Sequence, residues 1–487
     1  MEEAKQAKFI RMTTQPVEKL VCSLAVPTII SMLVTALYNM ADTFFVGKVG
    51  TAATAGVGLI FPVMTIIQAF GFFFGQGSGN FISRSLGAQN LDESEKMAAT
   101  GFFSALLFGG LIAASGLLFK TGVLHILGAA PDHVSMDTVR YAGDYLTLIM
   151  IGAPFMCASC VLNNQLRFQG NAFFSMIGLV SGAVLNCALD PLFIFTFHME
   201  VKGAALATII SQFLSFCLLY SGTLKSDSLK IHVRNFCPNF YYLKNIFIGG
   251  APSLFRQGLA SVATLCLNSA AGAAVEPKLA DAAIAAFSVV GKIMMFAFSA
   301  LLGFGQGFQP VCGYNYGAKK YGRVRDAYIF CLKIGAAFLF GMSILGFVFA
   351  GDLVALFRND PDVIRFGTIA MRCQCGTFTL MALVTCTNML YQNIGRVVGA
   401  TLLAVARQGL MFIPVVLILP HLFSTPLWGV YLAQPIADLF AFALALPLAV
   451  SMYRELKHRE EELAAGVSAE SGSRPRESAG QDHPAIG

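Results

Sequence analysis

Two acidic residues lie inside long apolar stretches of this chain, where charged side chains are rare. Asp42 falls within residues 20–46, and Asp190 falls within residues 172–196. An ionised side chain near the centre of a bilayer costs about 2.5 kcal/mol or more on insertion scales, so such residues are functional by default. The two carboxyl groups are therefore the first candidates for a functional site.

Amide and hydroxyl groups accompany both acids. Asn39 lies three residues before Asp42, and Asn186 lies four residues before Asp190, so each pair shares one helix face. Carboxylate, amide and hydroxyl oxygens suit a hard cation such as Na⁺, and a desolvated carboxyl group can instead take up a proton near neutral pH. Both alternatives predict a coupling-ion site, with local capping by each acid as the structural alternative. Further uncharged oxygens come from two neighbouring spans: Asn163 and Thr208.

The composition predicts a membrane protein. Of the 487 residues, 56% are apolar and 12% are charged, which is about half the charge of an ordinary soluble chain. Stretches near the roughly 20 residues that cross a bilayer occur at twelve places: 20–46, 53–79, 97–119, 141–163, 172–196, 203–222, 245–273, 282–308, 326–350, 366–393, 397–419 and 427–452.

The sequence of the first half returns in the second half. Gly75-Gln76-Gly77 recurs 230 residues later as Gly305-Gln306-Gly307. A repeat this long indicates a duplicated domain. Because each copy holds an even number of spans, the two lobes are predicted to be related by an axis along the membrane normal, with the site between them. In the flanking regions the offset is about 225, which pairs Pro27 with Pro252 and Gly170 with Gly395.

The spans and the repeat divide the chain into five segments. Most loop Lys and Arg residues fall on the side of the N-terminus, so the positive-inside rule predicts that both termini are cytoplasmic in a multi-pass protein of the plasma membrane. We expect membrane lipid as its surroundings and a monomeric state. The segments are an N-terminal segment (1–19), a first lobe (20–225), a polar linker (226–244), a second lobe (245–453) and a charged tail (454–487), disordered after about residue 464.

Several classes of function are disfavoured. No nucleophile-base arrangement and no nucleotide-binding motif occurs, so neither an enzyme nor an ATP-driven pump is predicted. A basic soluble face of the kind that binds nucleic acid is absent from the sequence pattern. We expect no cofactor other than the coupling ion, and no metal other than Na⁺.

The second lobe has no acid at the positions that match Asp42 and Asp190. Asp190, for example, falls opposite Val415, so the ion site is predicted in the first lobe only. Three bases instead fall within second-lobe spans, and they can snorkel or pair with backbone carbonyls. If any of them faces the cleft, organic anions or zwitterions become candidate cargo. These bases are Arg256, Lys292 and Arg407.

A cavity for varied cargo is expected to use flexible thioethers, flat rings and a few amides. Such side chains can adapt to many ligand shapes. We predict that the substrate cavity is lined by Asn39, Met64, Gln68, Phe155, Met156, Gln257, Met294 and Met295.

Several of these motifs together resemble the multidrug and toxic compound extrusion family. They are Ala41-Asp42-Thr43-Phe44-Phe45-Val46-Gly47, the string from Asn186 to Asp190-Pro191, Thr208 eighteen residues later, and Gly-Ala after the second and eighth spans. The resemblance covers about residues 15–455. It implies an all-α membrane fold of twelve transmembrane helices in two six-helix lobes, and drug export by Na⁺ or H⁺ antiport.

The resemblance also implies roles for individual residues. Pro27 matches a helix-bending proline of the family. Some relatives use acids in the second lobe, and this chain departs from them. The implied cation ligands are Asp42, Asn186, Asp190 and Thr208, with Asn163 alongside.

These observations predict a secondary active multidrug efflux transporter that exports amphipathic organic compounds by alternating access. The nearest alternative is a flippase for lipid-linked saccharides from the same superfamily, for which a basic central cavity and often extra helices are expected. An alternative from another class is a membrane channel or receptor.

Overall fold

The computed structural model describes residues 2–129, 134–225 and 229–472, and within these residues it contains helices and no strands. Every predicted span coincides with a long helix or with a helix interrupted by a short break. The all-α fold class is therefore confirmed. Residues 226–228 of the predicted linker and residues 473–487 of the predicted tail lie outside the described residues.

The first lobe follows a short N-terminal helix. That helix is α1 (Glu2–Thr14). The helices of the first lobe are α2 (Val17–Val49), α3 (Thr51–Gly87), α4 (Leu91–Leu118), α5 (Lys120–Ile126), α6 (Met136–Phe168), α7 (Ala172–Pro191) with a π-helical turn (Leu192–Thr196), and α8 (Glu200–Lys225).

The second lobe repeats this order after a 3₁₀ turn (Val233–Asn235) in the linker. Its helices are α9 (Phe240–Ala273), α10 (Ala280–Gly317), α11 (Tyr321–Val348), α12 (Ala350–Phe357), α13 (Pro361–Phe378), α14 (Met381–Ile394), α15 (Val397–Val405), a π-helical turn (Ala406–Met411), α16 (Phe412–Ile418), a 3₁₀ turn (Leu419–His421) and α17 (Pro426–Gly472).

Length and hydropathy identify most of the spans independently of the repeat. In the described part of the chain, ten helices are long and apolar enough to cross a membrane, and α13 with α14, bent by 54°, would form an eleventh span. Helix α9 is the twelfth long helix and is the repeat partner of α2. Its interior carries Arg256, Gln257 and Asn268, which lower its hydropathy.

The backbone itself records the duplication. Gly170 and Gly395 end α6 and α14 with φ values of 82° and 83°. Gln89 and Lys319 follow α3 and α10 with φ values of 59° and 58°. The same left-handed turns therefore recur at the offsets of 225 and 230 that the sequence repeat predicts.

The glycine-rich segments lie inside helices, and the helices run further than the predicted spans. Helix α3 continues to Gly87, past the predicted end at residue 79. A side chain at Gly77 would place its Cβ 2.2 Å from the carbonyl oxygen of Ile246 in α9, and one at Gly307 would lie 2.5 Å from Cα of Ala25 in α2. Glycine therefore permits the close approach of helices from opposite lobes.

These contacts close the space between the lobes at the end that carries the N-terminus, which we call the N-terminal face. A buried apolar cluster there combines first-lobe residues such as Leu20 and Leu24 with second-lobe residues such as Phe304. Further from this face, Gly258 and Gly291 have no atom within 4 Å of an added Cβ. The described contacts between the lobes thus close the cleft at the N-terminal face.

Polar contacts reinforce the closed end with approximate two-fold symmetry. Arg84, at the end of α3, donates to the carbonyl oxygen of Asn393 in the second lobe. Tyr314, the repeat partner of Arg84, donates to the carbonyl oxygen of Gln169 in the first lobe at 3.3 Å. Each lobe therefore satisfies carbonyl groups at a helix C-terminus of the other.

The N-terminal helix α1 bridges the two lobes on this face. Its Lys5 lies 3.6 Å from Glu95 of the first lobe. Second-lobe side chains hold its C-terminal end, since Asn315 donates to the carbonyl oxygen of Met12 at 3.1 Å and Lys320 donates to that of Thr13 at 2.9 Å. The predicted N-terminal segment is thus part of the closed end.

The described part of the linker packs on the first lobe. The backbone nitrogen of Leu229 donates to Gln169 Oε1 at 2.8 Å, and that of Cys237 donates to Thr100 Oγ1 at 3.2 Å. In the second lobe, α17 continues to Gly472, beyond residue 464 where disorder is predicted to begin. Arg325 holds this extension through Glu460 at 2.7 Å.

Replacing Gly77 with alanine is expected to weaken the closed end. The added Cβ would meet a backbone carbonyl, so α3 and α9 must separate, at a cost of about 1–3 kcal/mol for overpacking. We expect a lower apparent melting temperature for the purified full-length protein in detergent. Gly110→Ala is the matched control, because an added Cβ there meets no atom within 4 Å. Equal melting temperatures for the two variants would contradict this packing role.

Candidate functional site

The structure brings the two predicted carboxyl groups together inside the first lobe. Asp42 lies on α2 and Asp190 lies at the end of α7, close enough for their charges to interact. Asp190 is fully buried and Asp42 is half-buried. One carboxylate oxygen of each is buried and has no hydrogen-bond partner among the described residues. Neither group has a basic nitrogen within 4.0 Å in this part of the chain.

Asn186 and Thr208 complete the neutral part of the group, as the sequence spacing predicts. The side-chain amide of Asn186 lies 3.4 Å from Thr208 Oγ1. With its nitrogen turned toward Asp190, this amide donates to Asp190 Oδ2 at 3.3 Å and accepts from the backbone nitrogen of Thr208 at 3.3 Å. The orientation of a side-chain amide is assigned from its hydrogen-bond partners. In this orientation both the nitrogen and the oxygen of the Asn186 amide have a partner. Helices α7 and α8 therefore contribute adjoining oxygens.

The backbone after Asp190 departs from a regular α-helix. Pro191 has no N–H group, so the carbonyl oxygen four residues earlier, at Cys187, loses its helical donor. A π-helical turn (Leu192–Thr196) follows directly, and such turns occur frequently at functional sites. The local sequence thus places a carboxyl group and a released carbonyl oxygen near one another.

Two tyrosines that the sequence analysis did not select stand beside the acids. Tyr38 and Tyr145 both lie within electrostatic range of Asp42 and Asp190. Tyr145 is fully buried on α6 and donates to Met64 Sδ at 3.4 Å. Tyr38 could have been found, because it precedes Asp42 by one helical turn. Tyr145 carries no comparable signal in the sequence.

Asn163 makes a different contact from the one expected of a cation ligand. Its amide donates to the carbonyl oxygen of Ser175 at 3.0 Å, which ties α6 to α7. The same bond recurs 225 residues later, where Asn388 donates to the carbonyl oxygen of Ala400 at 2.5 Å. A contact present in both lobes indicates a helix-hairpin clamp. A cation role for Asn163 stays a prediction.

The predicted cavity residues differ in their exposure. Met64 and Met156 are buried in the core of the first lobe, and Phe155 packs on Phe213 of α8 with ring centroids 5.1 Å apart. These three therefore make contacts within the lobe. Met295 is 65% exposed. The other predicted members are exposed (Asn39) or half-buried (Gln68, Gln257 and Met294).

The second lobe contains a buried acid that the sequence analysis overlooked. Asp438, on α17, is 2% exposed. Its Oδ1 accepts from Arg407 Nε at 3.2 Å and from Gln434 Nε2 at 2.8 Å, and its Oδ2 accepts from Thr377 Oγ1 at 3.4 Å. The second lobe therefore buries an acid in addition to the bases that the sequence analysis identified. Asp438 was identifiable, because it lies inside the predicted span 427–452.

The three second-lobe bases and Pro27 have distinct settings. Arg407 pairs with a side chain, Asp438, instead of a backbone carbonyl, and lies over the ring of Phe298 at 5.0 Å. Lys292 is exposed, whereas Arg256 is half-buried in α9. Pro27 lies inside the continuous helix α2, next to Thr28, and its predicted bending role stays untested.

Two duplicated helical lobes around a cleft, with carboxyl groups inside one bundle, define a multi-pass membrane transporter of the internally repeated class. The MatE family profile matches residues 27–192 and 258–418, which is one match in each lobe. The chain belongs to the MatE family, whose members are transporters and not enzymes.

Relatives of known function agree with this assignment. The chain is 28% identical over 430 residues to the multidrug export protein MepA of Staphylococcus haemolyticus, covering 87% of this chain and 92% of the relative. It is also 28% identical over 434 residues to MepA of Staphylococcus aureus, covering 88% and 93%. The similarity therefore extends through both lobes.

Solved structures share the architecture. A MATE crystal structure in complex with MaL6 matches with a TM-score of 0.86 and 27% identity, over 92% of this chain and 99% of that chain. A multidrug resistance MATE family transporter of the MOP superfamily, described as outward-facing, matches with a TM-score of 0.85 and 27% identity, over 92% and 98%. The predicted twelve-helix, two-lobe fold is confirmed.

Alanine at Asn163 and at Asn388 should have the same effect if both are clamps. Each change removes a hydrogen bond between adjacent helices, and we expect similar losses of about 1–2 kcal/mol in stability. Apparent melting temperatures and the cation dependence of transport would be measured for both variants. A change in cation dependence for Asn163→Ala alone would instead assign Asn163 to the ion site.

Replacing Arg407 with glutamine should be more damaging than removing the pair. The single change leaves the Asp438 carboxylate buried without a counter-charge, for an expected loss of about 3–5 kcal/mol. The double variant Arg407→Gln, Asp438→Asn removes both charges and should recover most of the melting temperature. A double variant as unstable as the sum of its two singles would contradict this pairing.

Proposed function

We propose that this protein is a secondary active multidrug efflux transporter, which exports amphipathic organic compounds by antiport with Na⁺ or H⁺. The observation that carries the proposal is the pair of carboxyl groups without a basic partner inside the first lobe, at Asp42 and Asp190. The names of the MepA relatives favour drugs as the cargo class.

The ion site in this proposal consists of Asp42, Asp190, Asn186 and Thr208. Each acid keeps an oxygen without a donor, and such oxygens are available to a proton or to a cation that prefers oxygen ligands. Asn163 is left out of the set, because the bond from its amide nitrogen to Ser175 recurs at Asn388 in the second lobe, where no acid matches Asp42 or Asp190. Asp438 of the second lobe is also left out, since Arg407 already supplies its counter-charge.

Transport would proceed by relative motion of the two lobes. The described conformation is closed at the N-terminal face. If that face is cytoplasmic, as the distribution of Lys and Arg predicts, this conformation releases cargo outside and receives the ion. Coupling requires only that ion and cargo favour different conformations of the lobes.

The alternatives make different demands on the same features. A channel or receptor would not need a pair of unpaired acids in one lobe. A flippase for lipid-linked saccharides is expected to have a basic central cavity, whereas the buried pair of the first lobe is acidic. The acid pair therefore favours cation-coupled export.

Asp42→Asn should reduce gradient-driven efflux of ethidium to the background rate. The change keeps the shape of the side chain and removes the charge that would bind the ion. The measurement is dye efflux from proteoliposomes, with a Na⁺ gradient and a pH gradient imposed separately to identify the ion.

Asp144→Asn is the matched control, because Asp144 is a first-lobe acid that lies 3.4 Å from Lys202 near the surface. It should retain efflux. Efflux by Asp42→Asn at the rate of the unmodified protein under both gradients would refute the proposed coupling site.

A further inference from the structure

Two arginines without an acidic partner, one from each lobe, lie within electrostatic range of one another near the closed end of the cleft. Arg167, near the end of α6, is 1% exposed, and Arg256 in α9 is half-buried. Their charges are close enough to interact. Within the described residues, neither guanidinium has a carboxylate within 4.0 Å. The floor therefore holds two like charges without an acidic partner.

Both guanidinium groups keep unused hydrogen-bond donors. Arg167 Nη2 donates to Asn164 Oδ1 at 2.6 Å, but its buried Nε has no partner among the described residues. Arg256 forms no hydrogen bond and no ion pair with any residue that the structure describes. Because an arginine side chain carries five N–H donors in a fixed fork, most of the donor capacity of this pair is free.

Amides from both lobes surround Arg167. Gln76 Nε2, on α3, donates to the same Asn164 Oδ1 at 3.2 Å. Gln309 Nε2, on α10, donates to Gln76 Oε1 at 3.5 Å. All three amide residues are almost completely buried. Arg167 thus lies in a polar layer that crosses the boundary between the lobes.

The position of Arg256 follows from the packing of α9. Gly249 of α9 packs on Gly77 of α3, and Gln392 donates both to the carbonyl oxygen of Gly249 at 2.7 Å and to Ser253 Oγ at 3.0 Å. Gly249, Ser253 and Arg256 are spaced by four and three residues, so they share one helix face. Arg256 therefore continues the inter-lobe contact one turn farther into the cleft.

Desolvated guanidinium groups without a counter-ion are destabilising, and their planar forks match carboxylate and phosphate groups well. We propose that Arg167 and Arg256 form an anion site at the floor of the cleft. It would take the carboxylate or phosphate group of an amphipathic cargo, or a small inorganic anion. As a cargo site it rests on the efflux function proposed above, whereas anion binding as such does not.

An anion held by both arginines would link the lobes. The two side chains belong to helices of opposite lobes, so any motion that opens the N-terminal face separates them. The anion therefore favours the conformation with a closed floor, and opening of that face releases it. The same site would attract the acidic part of a zwitterionic cargo while the rest of the molecule occupies the cleft.

The test is direct binding of anionic fluorescein to the purified full-length protein, measured by fluorescence anisotropy at low ionic strength. Arg256→Gln should weaken binding about tenfold or more, because it removes a charged donor. Lys292→Gln is the matched control, since it removes an exposed base of the neighbouring helix α10, and it should change affinity less than twofold. Arg256→Lys, which keeps the charge, should retain part of the affinity.

Titration with chloride distinguishes the two sources of the anion. Competition by chloride at the wild-type protein, lost in Arg256→Gln, assigns the site to small inorganic anions as well. Binding of fluorescein that depends on Arg256 but resists chloride assigns it to organic anions. Equal binding by wild type and Arg256→Gln, equal loss in Lys292→Gln, or no binding of either probe by the wild type would each overturn the proposal.

Asp42→Asn separates this inference from the proposed coupling. It should bind fluorescein within twofold of the wild type, because in the described part of the chain no hydrogen bond or ion pair joins Asp42 to either arginine. If Asp42→Asn loses efflux but keeps fluorescein binding, both proposals are supported. If Asp42→Asn keeps efflux while Arg256→Gln loses fluorescein binding, only the proposed coupling site is refuted.

Discussion

Two carboxyl groups that share one desolvated pocket impose the main constraint on this structure. Asp42 and Asp190 interact electrostatically, and each keeps one buried oxygen without a donor. Like charges at close range in a low dielectric oppose each other's ionisation, so the pocket favours uptake of a proton or a cation. In the second lobe the charge of the buried acid is balanced differently, because Arg407 gives Asp438 a permanent counter-charge. The two lobes share a fold but differ in whether their buried acids have a basic partner among the described residues.

Helix α2 connects this pocket with the closed floor. Thr28 Oγ1 donates to the carbonyl oxygen of Gly303 in the second lobe at 2.6 Å, and Asp42 lies about 21 Å farther along the same helix at 1.5 Å per residue. An ion at Asp42 can influence the floor only through an element that keeps its shape over that distance. Pro27 removes one helical hydrogen bond beside Thr28, so the weakest point of α2 adjoins the inter-lobe contact.

The sequence predicts what depends on hydropathy and on spacing along one helix. Asp42, Asp190 and Asn186 were identifiable because polar residues are rare in apolar spans. The hydrogen bond of Asn163 to the next helix was not identifiable, because such a bond and a cation contact require the same residue type. The recurrence of that bond at Asn388 favours a clamp. Tyr145 gave no signal, since its place beside the acids depends on the packing of α6 against α7 and α8.

Charge distribution across the cleft joins these observations into one argument about cargo. In the proposed function, the acids of the first lobe bind a mobile cation, while Arg167 and Arg256 lie near the closed end without an acidic partner among the described residues. A basic cavity is also what a lipid-linked saccharide flippase would be expected to have, but such a protein would not need the unpaired acids of the first lobe. A transporter that carries both features can exchange a cation for an anionic or zwitterionic molecule, because the two ligands bind different elements and each favours a different arrangement of the same lobes.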